Sequence, residues 1–136
     1  RVLFRSKLML FEVVIMFEIG MDIIEIKRIE QALKRRPKLE KRIFAKEEIA
    51  YCRQKSNPFP SLAARFAAKE AVLKAMGVGI GACALEDIII CTEPSGAPGI
   101  YLGASAARLA EAKGIKEFKV TLTHSKEFAA ATVIAI

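Results

Sequence analysis

The sequence predicts helices and strands in one domain, gathered round a single buried helix. Two observations lead there. Ser61 to Met76 is rich in Ala, Leu, Lys and Glu, with no interior Gly or Pro, so it reads as one long helix. Segments rich in β-branched and aromatic residues stand near both ends of the chain, and the last two are separated only by a tight turn. At 136 residues, 53% hydrophobic and 27% charged, the chain has the size and composition of one folded domain with a genuine core.

In chain order, residues 1–15 come first, basic and then apolar. Glu12 and Glu18 interrupt the apolar run, no small-residue cleavage site follows, and the run is too short to span a membrane. Met16 offers a natural start, so residues 1–15 are expected to be an upstream extension and residues 16–136 the domain. Met16 to Ile24 reads as a strand with Asp22 in its apolar middle, where Asp is unfavourable. That carboxylate either caps the following helix or binds a cation. The helix, Ile24 to Arg36, turns Ile26, Ile29 and Leu33 to one face and ends before Pro37. Lys27, Arg28, Lys34, Arg35, Arg36, Lys38, Lys41 and Arg42 make this stretch strongly basic: a solvated face, or a docking surface for an acidic macromolecule.

A second helix spans Ala45 to Gln54, and the two prolines of 57–60 make a loop. The long helix follows, with Ser61 as its expected N-cap and Gly77 as its stop. Leu62, Phe66, Leu73 and Met76 form one arc. Ala64, Ala68, Ala71 and Ala75 form the opposite arc, small enough for another backbone to approach. Yet this helix carries Arg65, Lys69, Glu70 and Lys74, and buried charges need partners. Either Arg65 and Lys69 snorkel while Glu70 pairs with Lys74, or the cations and the glycines of Gly77-Val78-Gly79-Ile80-Gly81 hold an anion. Leu85 to Thr92 reads as a strand, Glu93 to Gly99 as a turn and Ile100 to Leu102 as a returning strand. Ser105 to Lys113 reads as a helix closed by Gly114. Phe118 to Ser125 alternates as a strand, with His124 ending its apolar side as a core residue or a ligand, and Phe128 to Ile136 is the last strand.

A net charge of +7 suits an anionic partner or ligand. One His excludes a metal site built on several histidines, and three scattered Cys without a CxxC pair suggest thiols in a reducing cytoplasm. A small basic nucleic-acid-binding module is an alternative. Eight Phe, two Tyr and no Trp, not interleaved with the basic residues, count against it.

Taken in order, Gly20-Met21-Asp22, Arg65 to Ala71 (Arg-Phe-Ala-Ala-Lys-Glu-Ala), Lys74, the Gly-x-Gly-x-Gly tail and Leu122-Thr-His-Ser125 resemble the holo-acyl-carrier-protein synthase family. These are the short bacterial 4′-phosphopantetheinyl transferases, and the resemblance runs from Met16 to Ile136. It implies an α+β fold, an antiparallel sheet packed against a long buried helix. It implies transfer of the phosphopantetheine arm of coenzyme A to a serine of acyl carrier protein, with release of adenosine 3′,5′-bisphosphate. Asp22 and Glu70 would be Mg²⁺ ligands and, with Lys74, catalytic. Arg65, Lys69, Lys74, Gly77, Gly79, His124 and Ser125 would bind the coenzyme, His124 and Ser125 near its 3′-phosphate. Arg28, Arg35, Arg36, Lys38 and Arg42 would dock the carrier protein. The family further implies a cytoplasmic homotrimer with sites between subunits, and neither nucleic acid nor membrane as a partner.

Overall fold

The computed structural model describes residues 17–136. The expected extension 1–15 and the first residue of the expected strand, Met16, lie outside the described residues. The chain runs β1 (Glu18–Glu25), α1 (Ile26–Arg35), α2 (Leu39–Ile43), α3 (Lys46–Arg53) and α4 (Phe59–Ala75). A single 3₁₀ turn (Leu85–Asp87) leads into β2 (Ile88–Thr92), β3 (Pro98–Leu102), α5 (Ala104–Ala112), β4 (Phe118–His124) and β5 (Phe128–Ala135). Two antiparallel sheets result, β1-β5-β4 and β2-β3, so the fold is α+β.

The three-stranded sheet has two unlike faces because strand side chains alternate. On the inner face, Ala129, Ala131, Val133 and Ala135 of β5 are buried against α4. On the outer face of β1, Ile19, Met21 and Ile23 are each more than half exposed, continued by Phe17. The small-residue arc of α4 does let another backbone approach: a Cβ at Gly20 would stand 1.9 Å from the Ala71 carbonyl oxygen and 2.7 Å from the Ala75 amide nitrogen. Only a glycine in β1 permits this spacing. Leu62, Val72 and Leu73 are fully enclosed on the helix's other sides, each contributing about 1.5–3 kcal/mol of burial.

Several boundaries differ from the sequence reading, for local reasons. α4 begins at Phe59, not after Ser61, because the Asn57 Oδ1 accepts the Phe59 N–H at 3.2 Å. Pro60 then lies in the first turn, where its missing N–H costs nothing. Beyond Pro37 the basic stretch forms an extra short helix, α2, anchored by buried Ile43 and Phe44. Leu85 to Asp87 turns instead of extending, because the Asp87 carboxylate is directed to α5. Its Oδ2 accepts the Ser105 N–H at 2.9 Å and the Ser105 O–H at 2.5 Å, capping that helix.

Candidate active site

The tight β1–α4 approach at Gly20 decides what comes together next. Asp22, two residues along the same strand face, meets the flank of α4 that carries Glu70 and Lys74. The Lys74 ammonium donates to Asp22 Oδ1 at 3.0 Å and to the Met21 carbonyl at 2.9 Å. Burial and the neighbouring Asp22 charge hold the Glu70 carboxyl above the usual carboxylate range, with Lys74 pulling the other way. Two of the local alternatives are thereby set aside. Asp22 does not cap α1, whose N-cap is Glu25 with no side-chain cap, and Lys74 pairs with Asp22, not with Glu70.

On a different flank of α4, Arg65 is 5% exposed. Its Nη2 donates to Thr92 Oγ1 at 3.3 Å, its guanidinium lies 4.6 Å from the Tyr51 ring centroid, and its Nε is buried without a partner. It borders a cavity of about 240 Å³ between α3, α4, the β2–β3 turn and β4.

Lys69 requires a correction. Expected to hold an anionic ligand, it is wholly enclosed, and the anion it holds belongs to the protein: Glu48 Oε1 at 2.7 Å. Its remaining donors meet the carbonyls of Leu85, at 2.9 Å, and Ile88. Glu48 also accepts the amides of Ala45 at 2.9 Å and Ile90 at 3.1 Å, so one buried pair ties α3, α4 and β2 together. Burial depresses the Lys69 pKa and Glu48 opposes that shift. No donor of this lysine is left for a ligand.

Gly77 is also committed within the fold. It sits at φ +72°, and its N–H bonds the Lys74 carbonyl while Val78 N–H bonds that of Leu73, the paired bonds that close a helix. Gly79 lies beyond this cap in an exposed loop. His124 ends β4 exposed to solvent, not in the core. The Ser125 hydroxyl accepts the Phe128 and Glu127 amides at 3.1 and 3.4 Å, shaping the β4–β5 turn. Arg28, Arg35, Arg36, Lys38 and Arg42 are all exposed, and Arg36, Lys38 and Arg42 border one shallow groove with Pro37 and Leu39. Sequence reasoning missed Glu48, Tyr51 and Thr92. Glu48 had a signal, standing three residues after the N-cap Ala45 as its capping partner; Tyr51 and Thr92 had none.

The structure thus sets a carboxylate pair beside a lysine, with a buried arginine on a second flank of the same helix. The chain belongs to the 4′-phosphopantetheinyl transferase superfamily, whose family model matches residues 18–133. More narrowly, it is 48% identical over 119 residues to the holo-[acyl-carrier-protein] synthase of Moorella thermoacetica, covering 88% of this chain and 93% of that one. Against the same enzyme of Caldanaerobacter subterraneus it is 40% identical over 118 residues, covering 87% and 93%. Among solved structures, the Neisseria meningitidis holo-[acyl-carrier-protein] synthase superposes with a TM-score of 0.80 at 34% identity, over 88% of this chain and 97% of that one. The Helicobacter pylori enzyme, solved in complex with coenzyme A, gives 0.77 at 36%, over 87% and 99%.

Proposed function

We propose that this chain transfers the 4′-phosphopantetheine moiety of coenzyme A to a serine of apo acyl carrier protein and releases adenosine 3′,5′-bisphosphate. The observation that carries the reading is the convergence of Asp22, Glu70 and Lys74 at the β1–α4 contact. Phosphoryl transfer asks for charge neutralisation and alignment more than for a covalent intermediate. The serine oxygen attacks the phosphorus that bears pantetheine, the bond from that phosphorus to the bisphosphate breaks, and Glu70 accepts the hydroxyl proton. Lys74 stabilises the charge building on the leaving bisphosphate.

Asp22 and Glu70 would hold Mg²⁺ through hard oxygen donors, and burial beside the Asp22 charge, which disfavours the Glu70 carboxylate, makes a setting that favours a cation. When bound, that ion supplies charge neutralisation at the pyrophosphate. Arg65 engages a phosphate group of the coenzyme, with Gly79, His124 and Ser125 near the nucleotide. Arg28, Arg35, Arg36, Lys38 and Arg42 form the cationic face that receives the acidic carrier protein. Residues 16–136 form the transferase domain and residues 1–15 an extension to it.

The assembly is a cytoplasmic homotrimer with sites between subunits. Two observations support sites shared between copies. The exposed stripe of Phe17, Ile19, Met21 and Ile23 is a face that a second copy would cover. Arg65 and the carboxylate pair lie on different flanks of α4, so one coenzyme reaches both most simply when neighbouring copies supply them. Among the described residues no helix is long and apolar enough to cross a membrane.

Mass spectrometry of an apo acyl carrier protein incubated with this protein, coenzyme A and Mg²⁺, beside an EDTA control, tests the proposal. A gain of one phosphopantetheine arm only with Mg²⁺ is expected, lost in Asp22→Ala and Glu70→Ala with unchanged circular dichroism. No gain on several competent carriers, or full activity in either variant, would refute it.

A further inference from the structure

Arg65 is a buried cation with donors to spare. Among the described residues its guanidinium makes one hydrogen bond, to Thr92, and its Nε has none. The cavity it borders is lined by hydroxyls of Ser61, Thr92 and Thr121 and by no carboxylate. An arginine left so incompletely paired needs something to fix its direction. Tyr51 provides that. Its ring lies under the guanidinium at 4.6 Å, within cation–π range, and its phenol lies beside the Thr92 hydroxyl that accepts from Arg65. The Lys55 ammonium lies 5.2 Å from the centroid of the same ring. Tyr51 is itself partly exposed, so burying its ring is not what explains its place.

Resting on the transferase reading above, we infer that Tyr51 is a positioning residue: it holds Arg65 toward the cavity to receive the phosphate monoester of coenzyme A, the phosphate that does not react. The choice of phosphate follows from the helix. Arg65 and Glu70 are five residues apart, about 140° round α4, so Arg65 faces away from the carboxylates that would manage the reacting pyrophosphate. The ribose monoester is the remaining dianion of the coenzyme. Tyr51 touches neither phosphate and acts only through Arg65.

The test compares coenzyme A with 3′-dephospho-coenzyme A as donors to apo acyl carrier protein, using the full chain and its Tyr51→Leu and Tyr51→Phe variants. In Tyr51→Leu the KM for coenzyme A is expected to rise about tenfold, kcat to stay within about twofold, and the KM for dephospho-coenzyme A to stay within about twofold. Tyr51→Phe keeps the ring and is expected to restore the KM for coenzyme A to within about threefold of the parent. Equal rises for both donors, no rise for either, or a fall in kcat with both would overturn the inference. Calorimetric binding of adenosine 3′,5′-bisphosphate against adenosine 5′-monophosphate gives the same contrast without turnover. If the parent transfers from neither donor, the function reading fails. The inference then stands or falls on whether Tyr51→Leu weakens the bisphosphate alone.

Discussion

Replacing Gly20 by Ala adds one methyl at the point where the strand and the helix carrying the site are closest. The new Cβ would meet the Ala71 carbonyl oxygen at 1.9 Å and the Ala75 amide nitrogen at 2.7 Å, whereas ordinary contact begins at 3.4 Å. Both obstacles are backbone, so no rotamer change relieves them, and α4 must retreat by about 1.5 Å. Overpacking of this kind costs about 1–3 kcal/mol, a fall of roughly 4–10 °C in Tm for a domain this size. The larger effect is on rate. Lys74 and Asp22 are 3.0 Å apart, and the same retreat carries Lys74 and Glu70 away from Asp22 and out of hydrogen-bond range. Misplacement by about 1 Å costs on the order of 10²-fold, so kcat is expected to fall by about that factor while the KM for carrier protein changes little. Steady-state transfer assays beside thermal melts read both effects. A Gly20→Ala variant with parental Tm and kcat within about twofold would show that the β1–α4 spacing does not set the site.

Three further outcomes are expected. Lys69→Met leaves the Glu48 carboxylate buried without its counter-charge and should cost about 3–5 kcal/mol in urea unfolding, only part of it regained in Glu48→Leu/Lys69→Met because the backbone groups that the pair bonds stay unpartnered; a neutral single variant would contradict the enclosed pair. Asp87, its carboxyl held below the usual 3.8 by the Ser105 hydrogen bonds, gives stability that is fully present above that value and lost as pH falls through its lowered pKa. Asp87→Asn should therefore be less stable than the parent by about 1 kcal/mol at neutral pH, with the gap closing in acid; a gap independent of pH would remove the carboxylate from the capping of α5. Arg28→Glu should raise the KM for the carrier protein about tenfold and leave that for coenzyme A unchanged, whereas equal effects on both would refute the docking face.

Much of the site was legible because its parts obey strong local rules. Asp22 stood out as a carboxylate in an apolar strand, and the alanine arc of α4 announced a close backbone neighbour, which proved to be Gly20. Lys69 was conspicuous for the same reason as Arg65, a cation on a buried helix, but the wheel could not say whether the compensating charge was ligand or protein. Its partner, Glu48, comes from another helix, and periodicity within one element carries no information about that. The 3₁₀ turn at Leu85–Asp87 was hidden likewise: a run that looks like strand was bent by a carboxylate whose hydrogen bonds lie beyond the next hairpin, at Ser105.

β1 does two jobs with alternate residues. Gly20 and Asp22 look inward to α4, while Ile19, Met21 and Ile23 look outward. A strand repeats every two residues, so its reading frame is binary. One residue inserted or deleted between Asp22 and α1 would shift the parity of the strand before it, bringing a bulky aliphatic to the place where even a Cβ would stand 1.9 Å from the Ala71 carbonyl oxygen and turning the carboxylate toward the apolar face. In this strand one parity therefore governs both what meets α4 and what faces outward.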